Sequence, residues 1–175
     1  MSPLDDIRAR VLRRRNALSP QLRKQYSKVI CERLQPLLKG TVAAYCATGS
    51  EVDLSYLNTK GIRMCLPVCD KDSMSFYYVD EATAYQKGSF GIWEPVHAQK
   101  AEPQELDILL VPLVAFDEAC NRMGHGRGYY DRYLPQCRAK TIGIAFACQK
   151  DRLQLHAQDV PLDMIVSEET IYTRT

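Results

Sequence analysis

The chain has 175 residues, 46% of them apolar, and a formal net charge of +2. That is enough for one compact domain with its own core, and residues 1–175 read as a single domain. The N-terminus MSPLDDIRARVLRRR lacks the apolar stretch of a secretory signal and no window has the length of a membrane span, which excludes an integral helical membrane protein and points to the cytoplasm.

Seven cysteines, Cys31, Cys46, Cys65, Cys69, Cys120, Cys137 and Cys148, are an odd number without a CxxC pair. Reduced thiols fit that pattern better than a disulfide framework. Cys65 and Cys69 flank Pro67, and His97, His125 and His156 are far from them in sequence, so the spacing argues against zinc. Basic residues are concentrated at one end: residues 1–33 hold nine Lys or Arg against three acids, and the remainder fourteen against eighteen. Such a segment suits an anionic ligand or an arginine-rich solvated helix face.

In chain order, Asp5 and Asp6 are placed to cap a helix carrying Ile7, Val11 and Leu12, and Ser19-Pro20 opens a second helix, giving a helical N-terminal hairpin. After Gly40, TVAAYCA reads as a buried strand, LSYLNTK as a short helix capped by Asp53 and ended by Gly61, and IRMCLPV as a strand. Strand, helix, strand implies parallel pairing. SMSFYYV is a further strand, and the Pro- and Gly-punctuated stretch ATAYQKGSFGIWEPVHAQKAEPQE reads as a long binding loop. LDILLVPLVAF has the composition of a central strand buried on both faces, with Pro112 near its end or at a bulge. A loop, DEACNRMGHGRG, leads to the short helix YYDRYLPQC, the strand TIGIAFA, and a tail whose DMIVSEETIY ends in an edge strand. The expected fold class is α/β, a mainly parallel sheet with flanking helices in a Rossmann-like three-layer arrangement.

The chemistry concentrates in RMGHGRGYYDRYL. Gly124, Gly126 and Gly128 lead directly into a helix start at Tyr129, so backbone N–H groups and the helix N-terminus can converge on an anion, for which phosphate is the natural occupant. The loop is neither a Rossmann fingerprint, which follows its strand directly, nor a P-loop, since no Gly-Lys-Ser/Thr is present. Arg122 and Arg127 can pair with phosphate oxygens. Asp131, in the first helical turn beside them, would repel phosphate unless a cation intervenes, which suggests Mg²⁺; alone, it would be explained equally by the helix dipole. Asp159 and Asp163, around Pro161, offer a second carboxylate for the metal or are turn residues. Glu51 lies past the TVAAYCA strand, where the C-terminal edge of an α/β sheet builds its crevice. Phe90 and Trp93 are loop aromatics able to stack on a flat heterocycle or to cover core edges.

Taken together, NRMGHGRGYYDRYL after LDILLVPLVAF, with SEVDL and GIWEP before and QDVPLDMIV after, resembles the 5-formyltetrahydrofolate cyclo-ligase (methenyltetrahydrofolate synthetase) family over nearly the whole chain. The resemblance implies conversion of 5-formyltetrahydrofolate and ATP to 5,10-methenyltetrahydrofolate, ADP and phosphate, with Mg²⁺ as the metal. It implies ATP contacts from Arg8, Arg122, Met123, Gly124, His125, Gly126, Arg127, Gly128, Tyr129 and Tyr130. Folate contacts would come from Glu51, Trp93 and the loop His125, Gly126, Arg127, Gly128 and Tyr129. The catalytic set would be Arg122, Arg127, Tyr129 and Asp131, with Asp131 and Asp159 as metal ligands. Where family members often carry a basic residue, one turn before Arg8, this chain has Leu4, and Arg10 is the candidate replacement. The implied partners are small molecules, with neither nucleic acid nor membrane, and a monomer is expected. The competing readings are an RNA-associated or non-catalytic α/β protein, and a sugar-phosphate or acyl-CoA enzyme on a similar scaffold.

Overall fold

The computed structural model describes residues 2–157 and 159–175. The chain opens with helices α1 (Pro3–Ala17) and α2 (Pro20–Leu34), followed by strands β1 (Thr41–Ala43), β2 (Arg63–Cys69), β3 (Met74–Val79), β4 (Ala84–Lys87), β5 (Trp93–Val96) and β6 (Lys100–Ala101). Then come β7 (Ile108–Pro112), β8 (Ala115–Phe116), β9 (Arg122–Met123), α3 (Tyr129–Tyr133), β10 (Lys140–Ile144), β11 (Met164–Val166) and β12 (Ile171–Thr173).

Eight strands form the main sheet in the order β12-β11-β10-β7-β1-β2-β3-β6. From β11 through β2 the neighbours are parallel, while β12, β3 and β6 are antiparallel additions at the two edges. The alternation of strand side chains gives the sheet two cores. Ile108, Leu110, Ile142 and Ile144 face the side covered by Ile30 and Leu34 of α2, whereas Leu109, Val111 and Ile165 face the side covered by Tyr133 and Leu134. This is the expected three-layer α/β class. The N-terminal helices serve different clusters: α2 lies on the sheet, and α1 places Ile7 and Val11 against Val114, Ala115 and Met123 beyond its edge.

Four local expectations are corrected. First, the N-cap of α1 is Ser2, whose hydroxyl accepts from Asp5 N while the Asp5 carboxylate accepts from Ser2 N; Asp5 reciprocates a cap rather than providing it. Second, LSYLNTK is a run of turns. Asp53 Oδ1 accepts from Ser55 N at 2.9 Å, Asn58 Oδ1 accepts from Lys60 N at 3.0 Å, and Gln35 clamps the Asn58 backbone through both its amide atoms. Short polar side chains here give the backbone partners that a helix would otherwise supply. Third, the long loop after β3 contains the β4–β5 hairpin, fastened to the main sheet by Glu94, which accepts from Cys69 N at 2.7 Å. LDILLVPLVAF likewise divides: Pro112 ends β7, and Ala115–Phe116 pair with Arg122–Met123 in a separate ribbon.

Candidate active site

The strand order reverses beside β1: the chain proceeds outward through β2 and β3, then returns to place β7 on the other flank of β1. Segments leaving the C-terminal ends of two such strands diverge and leave a crevice between them, the usual ligand position in open α/β sheets. Here the segment after β1 carries Tyr45, Cys46, Thr48 and Glu51, and the segment after β7 carries Pro112 and, beyond the β8–β9 ribbon, the glycine loop; together they line a cavity of about 590 Å³. Gln149, itself buried, fixes the start of the second segment by donating to the carbonyls of Leu113 and Val114.

The glycine loop takes its shape from left-handed residues. Gly126 has φ +97° and Gly128, the N-cap of α3, has φ +73°, a region in which other residues are strained. Arg8 of α1 donates from Nε to Gly124 O at 2.9 Å, and Arg132 donates to Arg127 O at 3.0 Å. Arg122 is buried, with Nη2 2.9 Å from Asp131 Oδ1; burial lowers its pKa most, Asp131 opposes that, and its Nε has no partner. Tyr129 donates to Asp70 O at 2.7 Å, and burial pushes the Tyr130 phenol above its ordinary range.

Opposite, the Glu51 carboxylate accepts from Thr48 N at 2.9 Å and lies 3.9 Å from His125 Nε2. Burial raises the Glu51 pKa, against the pull of Thr48 and Arg15. Burial also lowers that of His125, reinforced by Arg15, Arg127 and Arg8, so the imidazole is neutral at neutral pH. The third wall is the tip of the β4–β5 hairpin. Phe90 is held at φ 63°, its ring centroid 3.3 Å from Arg127 Cζ and 6.5 Å from the Tyr129 ring.

The structure thus brings Arg8, Glu51, Arg122, Gly124, His125, Gly126, Arg127, Gly128, Tyr129, Tyr130 and Asp131 to one cavity. Three of the expected residues, Trp93, Met123 and Asp159, are not on it. Trp93 is 53% exposed on β5 with Lys87 over its ring, and Phe90 and Ile92 take the cavity wall instead, because strand alternation turns Trp93 away from its preceding neighbour. Met123 belongs to a smaller adjoining recess, shared by Leu4, Arg8, Arg122, Asp131, His156 and Asp159. Arg10 does not take the place of a basic residue at Leu4: it pairs with Asp151 at 2.9 Å, and Leu4 packs with the α1 cluster. Asp163 braces β10 by accepting from Thr141 N and is no metal candidate.

For Mg²⁺ the arrangement fits. Asp131 is 43% exposed and Asp159 borders the same recess, while no cluster of three or more His, Cys, Asp or Glu ligands exists among the described residues. One or two carboxylates completed by phosphate oxygens and water is how Mg²⁺ is held with nucleotides, unlike a metal caged by protein alone.

Arg15 was not singled out from the sequence. It is 5% exposed and continues the Ile7, Val11 stripe of α1, so the usable signal was an arginine at the next apolar position.

A glycine loop facing a carboxylate and an aromatic wall across the switch point of a parallel sheet defines the class of small-molecule α/β enzymes. Comparison with known proteins narrows the class. The family model described as 5-formyltetrahydrofolate cyclo-ligase family matches residues 3–168. A Mycoplasma pneumoniae protein named 5-formyltetrahydrofolate cyclo-ligase is 30% identical over 93% of this chain and 97% of its own. A Haemophilus influenzae protein of the same name is 45% identical over a stretch spanning about half of each chain, 48% and 49%. The solved structure of Aquifex aeolicus 5,10-methenyltetrahydrofolate synthetase superposes with a TM-score of 0.89 at 33% identity, covering 98% of this chain and 93% of that one. The chain belongs to the 5-formyltetrahydrofolate cyclo-ligase family.

Proposed function

We propose that this chain uses ATP and Mg²⁺ to convert 5-formyltetrahydrofolate to 5,10-methenyltetrahydrofolate, releasing ADP and phosphate. The observation that carries the reading is the cleft in which the glycine loop faces Glu51, with His125 Nε2 of that loop 3.9 Å from Glu51 Oε1. A formamide oxygen is a poor leaving group. Attack of the formyl oxygen on the γ-phosphate expels ADP and leaves a phosphate ester, N10 of the folate then closes the ring on the activated carbon and loses its proton, and the C–O bond breaks to release phosphate. Such chemistry asks the protein chiefly for positioning and charge stabilisation.

The residues divide that work. Backbone N–H groups of Gly124 to Tyr129 receive phosphate oxygens, and Arg8, Arg122 and Arg127 supply positive charge around them. Glu51 accepts N–H groups of the pterin, which its ionised form does best. Phe90, already stacked on Arg127, offers a face for the heterocycle. Tyr129 ties the loop to the β2–β3 turn, so the helix start keeps its aim. Mg²⁺, when bound at Asp131 and Asp159, would neutralise charge on the transferring phosphoryl group.

The N-terminal arginines support small-molecule chemistry over the nucleic-acid reading, since Arg10 and Arg14 pair with Asp151, Arg15 is buried and Arg8 turns into the site. All seven cysteines are free, which suits a reducing cytoplasm. The test is to mix the protein with 5-formyltetrahydrofolate and MgATP and follow the methenyl-folate absorbance band together with ADP. Equal growth of both is expected, and folate conversion without ADP would refute the ATP-dependent reading.

A further inference from the structure

Helix α1 reaches both walls of the cleft with arginines two helical turns apart on one face. Arg8 holds the glycine loop through Gly124 O. Arg15 holds the opposite loop: its Nε donates to Ser50 Oγ at 2.8 Å, and that hydroxyl donates to Asn16 Oδ1 at 2.5 Å. Ser50 is 7% exposed and immediately precedes Glu51. A guanidinium buried in an apolar stripe is costly and needs charge to face. Arg15 makes no direct ion pair among the described residues; burial lowers its pKa, the Glu51 carboxyl opposes that most, and Arg23 adds to the lowering.

We propose that Arg15 is a positioning residue for the site: by gripping Ser50 and presenting its charge to the back of Glu51, it keeps that carboxylate aimed into the cleft and favours its ionised form. Glu51 is otherwise surrounded by Thr48, Tyr45, Tyr130 and His125, none of which supplies a permanent positive charge. Arg15 is thus the lasting cation near it, and the same field, with Arg8 and Arg127, disfavours a proton on His125. Glutamate stays ready to accept and histidine stays uncharged because one buried side chain biases both. A Lys at position 15 would keep the charge but lose the guanidinium geometry.

The kinetic part of this inference rests on the proposed function; the titration part does not. Arg15→Met, Arg15→Lys and Ser50→Ala are compared with the parent by NMR titration of His125, thermal unfolding and steady-state kinetics over pH. In Arg15→Met, His125 titrates at higher pH and the acid limb of kcat/KM moves up. KM for 5-formyltetrahydrofolate rises roughly 10-fold while that for ATP changes by less than about 2-fold. Arg15→Lys returns the pH behaviour toward the parent. Should Arg15→Met fail to fold, Ser50→Ala decides the grip: a higher folate KM with an unmoved His125 midpoint is expected, and an unchanged KM contradicts it. A folded Arg15→Met with unmoved titration, or equal losses for folate and ATP, overturns the proposal. Absence of turnover by the parent would defeat the proposed function, yet His125 titration would still decide the role of Arg15.

Discussion

Glu51 Oε1 and His125 Nε2 lie 3.9 Å apart, although one belongs to the loop after β1 and the other to the glycine loop after the β8–β9 ribbon. Burial raises the pKa of the acid above 4.5 and lowers that of the base below 6.5, so near neutrality the imidazole facing the carboxyl group is uncharged. Each shift has a consequence for stability. Glu51 binds protons more readily in the folded chain, so its ionisation costs stability above about pH 4.5; His125 binds them less readily, so protonation costs stability below about pH 6.5.

The first prediction follows. Glu51→Gln removes a desolvated charge while leaving an acceptor for Thr48 N, so the Tm at pH 7 stays level or rises, and that advantage vanishes at pH 4, where the parent glutamate is protonated. Folate affinity falls by roughly 10-fold or more, since a charged acceptor is lost. Thermal scans at the two pH values and a folate binding isotherm measure both parts. A lower Tm at pH 7 with unchanged binding would mean Glu51 is structural.

Asp131 is the second subject. Asp131→Asn lowers kcat by well over ~10-fold and raises the Mg²⁺ concentration needed for half-maximal rate. It also leaves buried Arg122 with a weaker partner, at about 1 kcal/mol because Asp131 is half open to water. Asp53→Asn, in an Asx turn that does not line the cleft, should leave the Mg²⁺ dependence unchanged. Equal kinetic effects of the two substitutions would misplace the metal.

Gly126 is conformationally required. Alanine at φ +97° is strained by about 1–2 kcal/mol. The added methyl would meet Arg8 Cζ at 3.5 Å, an ordinary contact, so the damage is to the backbone that faces phosphate. Gly126→Ala should raise KM for ATP with a modest loss in urea stability. A variant with parental KM would show that the loop amides do not bind the nucleotide.

Phe90 and Trp93 separate cavity from surface. Phe90→Ala should raise folate KM by roughly 10-fold through lost stacking, whereas Trp93→Ala changes it by less than about 2-fold. The reverse order would place the folate ring on the outer face of the hairpin.

The fold was legible where periodicity was long, in the two N-terminal helices and the apolar run at residues 106–112; the parallel class held although the helix expected between β1 and β2 is a run of turns. It was not legible at Ser55 to Lys60, where Asp53 and Asn58 substitute side-chain acceptors for helical bonds, nor in the two-residue strands β8 and β9, too short to show a period. In the site, the glycine loop declared itself because glycine at alternate positions has a backbone reason. Both Phe90 and Trp93 read as able to stack, and the expected folate contact fell on Trp93, since which of two near neighbours faces a cavity depends on hairpin register. Arg15 hid because a buried arginine looks, in sequence, like one more member of a basic helix.

The most direct measurement is a label transfer. With heavy oxygen placed in the formyl group of 5-formyltetrahydrofolate, one turnover with MgATP should deliver the label into inorganic phosphate, because the proposed reaction joins the formyl oxygen to the γ-phosphate between Glu51 and the glycine loop. Label remaining with the folate or appearing in water, with unlabelled phosphate released, would contradict phosphorylation of the formyl oxygen in this cleft.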